Sequence, residues 1–365
     1  MDAPATVSAQ ELDSLRQRVR EGDPQVRPLL KQALRRAQAR DDLDCAMPLA
    51  ELAARAAWGV LDYRQLQHYA RLLGRLALRG DSLDYRLLSL QIQARAAQEQ
   101  QRHQLTLRLW FTVMTLAEQQ ERPAALCDAC LGLSNLLLQE QQPTLALEAI
   151  AFAHHTACDY GLARLRFRCA LFMLSQLVDS SPRSELQGWL DELEAADQHT
   201  MDHHWLVDLA NLQARLANRE KDYRTAQLRA SKAEHLARRS HYQWGLQQAL
   251  QNRAEIAAGQ QQWSEAIALL QQSTYDPVPR ALPAAQQWQL AQWLEASGQA
   301  QPALAVYQQW HALRVQALAG SARSKTLPCG LRRQLALQLD NIRLRLANHR
   351  LTQRLAQLES THASG

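Results

Sequence analysis

The residues of this chain whose types and spacing could do chemistry are few. The densest group of potential metal ligands is Asp197-Gln-His199-Thr-Met-Asp202-His203-His204. Imidazoles beside carboxylates can hold a divalent cation where a loop folds around it, which makes His199, His203 and His204 the candidate ligands. Loops collect such residues without a metal too, and the sequence assigns neither a metal nor a cofactor here. Cys127 and Cys130 form a CxxC. It falls inside the helical apolar pattern Leu126, Cys130, Leu133 and Leu137, and no second pair completes a tetrahedral site. With Cys45, Cys158, Cys169 and Cys329 these cysteines show no disulfide framework and read as small packing residues. The chain has no Gly-rich phosphate loop, no Gly-x-Ser-x-Gly and no HExxH. Catalysis is therefore not expected.

The elements that position these residues are helices. Gly (13) and Pro (12) are scarce among the 365 residues, while Ala, Leu, Gln, Arg and Glu, which lose little rotamer freedom in a helix, dominate. A small or aliphatic residue recurs about every 40 positions, at Leu66, Thr106, Ala146, Leu186, Ala226, Ala266 and, slightly early, Ala303. Two helical turns further on stand Leu73, Val113, Ala153, Leu193, Ala233, Ser273 and Trp310. Such a fixed period predicts stacked helical hairpins, each burying its apolar face on its neighbours, so the length does not require separate globular cores. Pro123, Pro143, Pro182 and Pro302 stand near first helical turns, where the missing N–H is harmless. The pattern predicts helices at about 8–21, 25–39, 43–58, 62–79, 83–99, 102–119, 123–140, 143–158, 161–179, 183–197, 203–219, 222–238, 243–259, 263–273, 283–297 and 300–318.

Beyond the repeats, residues 320–330 have the Gly, Ser and Pro content of a linker. The expected organisation is an N-terminal helical cap over 1–60, a repeat array over 61–320, a linker over 321–330 and a C-terminal helix over 331–365. In that last helix Leu337, Leu344, Leu351 and Leu358 recur at seven, with Asn341 and Asn348 on an adjacent seam. This pattern suits a two-stranded parallel coiled coil and hence a homodimer. A second stripe, Leu335, Leu339, Ile342 and Leu346, equally suits a helix folded back over the last hairpin.

The net charge of +5 is modest for this length. Basic residues gather at 16–40 and 321–360, where solvated helix faces are the expectation and contact with nucleic acid the alternative. No run of 18 apolar residues occurs and the first 20 residues are polar, so neither a membrane span nor export is expected, and the cytoplasm is the expected compartment.

The segment Ser297-Gly-Gln-Ala-Gln-Pro-Ala-Leu-Ala-Val-Tyr307 resembles the tetratricopeptide repeats, with Gly298 in the turn, Ala303 at the tight crossing and Tyr307 in the core between repeats. Lys221 to Ala226 with Ala233, and Gln262 to Ile267, are similar. The helices are longer than in that family's unit of about 34 residues, and Leu66, Thr106 and Leu186 replace its small residue. The resemblance spans roughly residues 60–320. It implies an all-α, right-handed superhelix whose first helices line a concave groove. By the 40-residue spacing, the positions that meet a partner are then Gln91, Arg95, Asn135, Arg168, Asn211, Arg215, Gln248, Trp288 and Gln292. Asn and Gln can pair an extended backbone, Arg can fork onto carboxylates, and Trp is a frequent hot spot. Tyr307 to Arg314, followed by a long Leu/Arg/Gln helix, also resembles the last repeat of bacterial sensor proteins, here without an output domain. The expected function is a protein-binding scaffold or adaptor. A regulator contacting nucleic acid through the basic ends, and a metal-dependent enzyme at His199–His204, are the alternatives.

Overall fold

The structure, a computed structural model, describes residues 7–23, 25–60, 62–197, 200–273 and 284–321, together with Leu337, Asp340 and Leu344. The helices in chain order are α1 (Ala9–Arg20), α2 (Val26–Ala39), α3 (Leu43–Gly59), α4 (Tyr63–Arg79), α5 (Leu83–Glu99), α6 (His103–Gln119), α7 (Pro123–Gln139) and α8 (Pro143–Asp159). They continue with α9 (Ala163–Leu177), α10 (Arg183–Ala195), α11 (His203–Arg219), α12 (Tyr223–Arg239), α13 (Gln243–Gly259), α14 (Trp263–Ser273), α15 (Ala284–Ala296) and α16 (Ala300–Ser321). No strand occurs among the described residues. The chain is an all-α tandem repeat in which consecutive helices pack on one another. The predicted helix limits lie within two residues of these, except that α16 runs on to Ser321.

The underlying period is 20 residues, half of the expected hairpin unit. From α3 to α8 every helix is 17 residues long and successive helices start 20 residues apart, and α11, α12 and α13 do the same. The turn that enforces this spacing has a repeated chemistry. Its first residue past the helix cap takes a positive φ, at Asp41, Asp81, Gln101, Glu121, Gln141, Lys221, His241 and Gln261, and at the glycines Gly161 and Gly298. The next N–H then reaches back over the last turn, as from Arg102 to the Ala97 carbonyl (2.9 Å) and from Gln262 to the Ala257 carbonyl (2.9 Å), closing a Schellman motif that satisfies carbonyls the helix leaves open. The acceptor is an alanine at 37, 57, 77, 97, 117, 157, 217, 237 and 257, and a leucine at 137 and 294. Each acceptor is buried because the turn folds over it. On the far side of the turn Asp42, Asp62 and Asp222 start the next helix, accepting the N–H groups of Cys45, Gln65 and Thr225 at 3.1 Å.

Two compact units divide between Cys169 and Ala170, inside α9. In the first unit Leu30, Leu49, Leu73, Trp110, Leu133 and Ile150 are wholly or almost wholly enclosed. In the second, α12 packs through a single alanine stripe, Ala226, Ala230, Ala233 and Ala237, and side chains that small let two helices approach closely. The positions marked out by the period, from Leu66, Thr106, Ala146, Leu186, Ala226, Ala266 and Ala303 through Leu73, Val113, Ala153, Leu193, Ala233 and Ser273, are all buried.

Odd and even helices play different parts within each unit. α5 reaches its next-but-one neighbour α7, and α11 reaches α13. Such contacts place the odd helices in an inner layer and leave the even helices outside. The residues agree: α7 buries Cys127, Ala129, Leu131, Leu133, Ser134 and Leu136 around much of its circumference, whereas α12 buries one stripe, as a surface helix does. None of the described helices is long and apolar enough to cross a membrane. Leu337 and Leu344 are helical and exposed; Leu351 and Leu358, and residues 322–330, lie outside the described residues.

Candidate binding face of the inner helices

One position of the inner helices carries a polar or aromatic residue in five successive repeats. Steps of 40 from α7 to α15 give Asp128, Arg168, Asp208, Gln248 and Trp288, every one of them half-buried or exposed. A second series, two turns nearer the C-terminal end of these helices, gives Arg95, Asn135 and Arg215. Helical periodicity puts both series on one side of their helices.

In the first unit the series meet. Asp128 on α7 accepts from two arginines through the same oxygen: Arg95 of α5 approaches Oδ1 at 3.3 Å, and Arg168 of α9 donates to it through Nη1. Two guanidinium groups thus share one carboxylate. Burial, and next the positive charge of Arg168, bring the Arg95 guanidinium down to about 10, with Asp128 acting in the opposite direction and Arg55 adding to the depression. It stays charged at neutral pH. Asn135 is exposed further along α7, and Gln91, a turn before Arg95, is buried. Gln91 is therefore a core residue and not a groove contact. Just behind this cluster Cys127 Sγ donates to the Ala153 carbonyl at 3.3 Å, and burial pushes its thiol up to about 12. Cys130 and Cys169 are likewise buried with raised thiols. These groups are protonated packing residues.

The second unit arranges its candidates differently. Asn211, expected in the groove, is in the core at 5% exposure. Its amide donates to the Gly245 carbonyl at 3.1 Å and its Oδ1 accepts from Asn252 at 3.0 Å. The reason is Gly245: a Cβ there would stand 2.4 Å from Tyr242 Cδ1 and 2.6 Å from Val207 Cγ1, so only a bare backbone lets α13 come close enough to α11 to enclose the amide. Arg215 is engaged by Asp179. Gln248 is half-buried and Gln292 exposed. Trp288 stands 39% exposed, set edge-on to Tyr307 at 5.3 Å and tilted against Trp310 at 4.7 Å. The Tyr307 hydroxyl donates to Glu295 at 2.9 Å, and that carboxylate raises the phenol.

A turn before Asn211, Asp208 has an unusual environment. Burial raises its carboxyl to about 7, against the opposing effect of a hydrogen bond from the Tyr242 hydroxyl. Its Oδ1 is buried with no hydrogen-bond partner. The His204 ring stacks on Tyr242 with centroids 4.2 Å apart, and burial lowers its pKa. His204 is thus turned onto an aromatic ring, and His203 opens α11 as an exposed residue. His199 lies outside the described residues. No group of three or more His, Cys, Asp or Glu side chains placed to hold a metal ion occurs among the described residues.

Asp128 and Asp208 are the residues that sequence reasoning passed over. The signal was available, because they stand 40 positions to either side of Arg168. Of the basic N-terminal segment, Arg16, Arg27 and Arg36 form ion pairs with Asp13, Asp62 and Glu11, which lowers the positive field that nucleic acid would meet.

No protein-family model and no curated protein matches the chain. Among solved structures it is similar to a protein described as a circular tandem repeat protein with novel repeat topology and enhanced subunit contact surfaces. That similarity has 14% identity, covers 91% of this chain and 94% of the other, and has a TM-score of 0.21.

Proposed function

We propose that this chain is a non-catalytic scaffold that binds a segment of a partner protein on the face of its inner helices, in the manner of a tetratricopeptide-like bacterial adaptor. The observation that carries the reading is Trp288. An indole left 39% exposed on an inner helix and held in one orientation by Tyr307 and Trp310 is a preformed anchor, and large rigid aromatics backed in this way are where binding energy concentrates. Exposed Gln292 on the same helix and half-buried Gln248 on α13 supply the donors and acceptors for an extended backbone. Such a protein acts in the cytoplasm without a metal or cofactor. The exposed leucines Leu337 and Leu344 support pairing of two copies through the C-terminal helix.

The test is capture from the cells that express the protein, identification of what is captured, and repetition with that protein purified. Trp288→Ala, with helicity unchanged, is expected to weaken the purified interaction at least tenfold. Capture at the wild-type level by both Trp288→Ala and Gln292→Ala would sink the assignment of this face.

A further inference from the structure

We infer that the Arg95, Asp128 and Arg168 cluster of the first unit is a binding site for an acidic segment of the partner, with Asp128 occupying the place of the partner's carboxylate in the free protein. The inference deepens the scaffold reading and rests on it.

Charge is the first ground. Arg95 and Arg168 converge from α5 and α9 on one oxygen of Asp128, so the cluster holds two cations and one anion. The neighbouring Arg55 is itself paired with Glu51 at 2.7 Å, so the excess of positive charge belongs to Arg95 and Arg168. A guanidinium fork offers five N–H donors, and a single shared oxygen uses few of the ten on the two side chains. A further carboxylate could take a bidentate position on either arginine, the geometry that distinguishes arginine from lysine at such sites.

Access is the second ground. The side chains of Arg95, Asp128 and Arg168 are 38%, 22% and 25% exposed. Each is partly shielded, so an ion pair here is screened less than on an open surface, yet each remains reachable. Electrostatics agree with the geometry, since Arg168 disfavours the charged form of Arg95, and an incoming anion would relieve that repulsion. Exposed Asn135 on the same face of α7 can hydrogen-bond the backbone that carries the acidic residue.

An internal carboxylate that fills the site makes a signed prediction. With an eight-residue alternating Glu-Asp peptide bearing a fluorophore, Arg95→Gln and Arg168→Gln are expected to weaken binding at least tenfold. Asp128→Asn, which removes the competitor while keeping its shape, is expected to tighten it at least threefold. Arg75→Gln, on the exposed side of α4, removes the same charge elsewhere and is expected to change the affinity less than twofold. Wild-type protein supplies a readout without substitution: the side-chain Nε–Hε resonances of Arg95 and Arg168 should shift on titration with the acidic peptide and stay fixed with its Lys counterpart. The inference is overturned if Asp128→Asn weakens binding, if the two arginine variants behave like Arg75→Gln, or if neither resonance moves. Persistence of partner capture that depends on Trp288 in those cases would leave the scaffold reading standing and remove only the acidic ligand; loss of both would remove the two together.

Discussion

The indole of Trp110 on α6 lies directly over the bare Cα of Gly132 on α7. A Cβ added at Gly132 would stand 2.1 Å from Trp110 Cζ2 and 2.2 Å from Cε2. Trp110 is wholly buried, and a ring packed on all sides cannot swing away as a flexible side chain would. Gly132→Ala is therefore expected to destabilise the protein by about 1–2 kcal/mol, the overpacking penalty being partly offset by the higher helix propensity of Ala. Trp110→Leu should lower the stability by itself and yet abolish the added penalty of Gly132→Ala. A double-mutant cycle by urea unfolding measures this, and an additive pair would show that the two residues do not constrain each other.

The turns offer a prediction of opposite sign. Among the described residues eight other than glycine hold a positive φ, Gln261 at 62° being one. The left-handed region costs an L-residue about 1 kcal/mol that glycine escapes, though glycine also gives the unfolded chain more freedom. Gln261→Gly is expected to stabilise the protein by about 0.5 kcal/mol and Gln261→Val to destabilise it by more than 1 kcal/mol. Thermal unfolding of the two variants should therefore bracket the wild type. An unchanged midpoint for Gln261→Val would contradict the strain at this turn.

The turn chemistry also shows why the fold was legible. Helix limits follow from proline at the first turn and from small residues in register, and both are local signals, so Pro123 and Pro143 mark the starts of α7 and α8 without knowledge of the rest. The positive-φ residues hid the true period, because Asp41, Gln101 and Lys221 share no side-chain chemistry; what repeats visibly is the alanine at 37, 57, 77, 97 and 117 and again at 217, 237 and 257. Burial of polar residues was legible only in register. Asn211 stands at 40-residue steps from the buried Gln91, Leu131 and Leu171, whereas Asn135 shares the solvent-reaching register of Arg95 and Arg215. The acceptor that satisfies the enclosed amide, the carbonyl of a glycine 34 residues beyond Asn211, has no signal in that pattern. Asp128 and Asp208 share the 40-residue spacing of Arg168, but a lone carboxylate on a helix reads equally well as a solvated surface residue, so the spacing alone does not single them out.

The enclosed amides carry a testable load. Asn252 donates to both the backbone oxygen and the Oδ1 of Asn211, at 3.1 and 3.0 Å. Asn252→Ala removes the donor and leaves two buried acceptors less satisfied, a loss of about 1–3 kcal/mol. Asn252→Asp preserves volume but replaces the donor with an anion facing two acceptors, and is expected to be worse. Guanidinium unfolding of the pair should give that order. The reverse order would mean that packing, not the hydrogen bond, holds α11 to α13.

Asp208 predicts a pH dependence whose sign is fixed by its environment. Its carboxyl is raised in the folded protein to about 7 from an ordinary 3.8, chiefly by burial. Between those values the unfolded chain releases the proton while the folded one keeps it, so stability is greatest at low pH and declines as pH rises toward 7. The groups facing this site also titrate. His204, lowered by burial, acts with the opposite sign, losing stability as pH falls through its own range, while Tyr242, raised by burial and by Asp208, stays neutral throughout. Comparing wild type with Asp208→Asn cancels the His204 contribution to first order. The variant should gain relative stability as pH rises, by about 2 kcal/mol between pH 4 and pH 8 once the shift is discounted for partial solvation. Urea unfolding at five pH values measures the difference, and a gap that is constant with pH would show that Asp208 ionises in the folded protein as freely as in the unfolded chain.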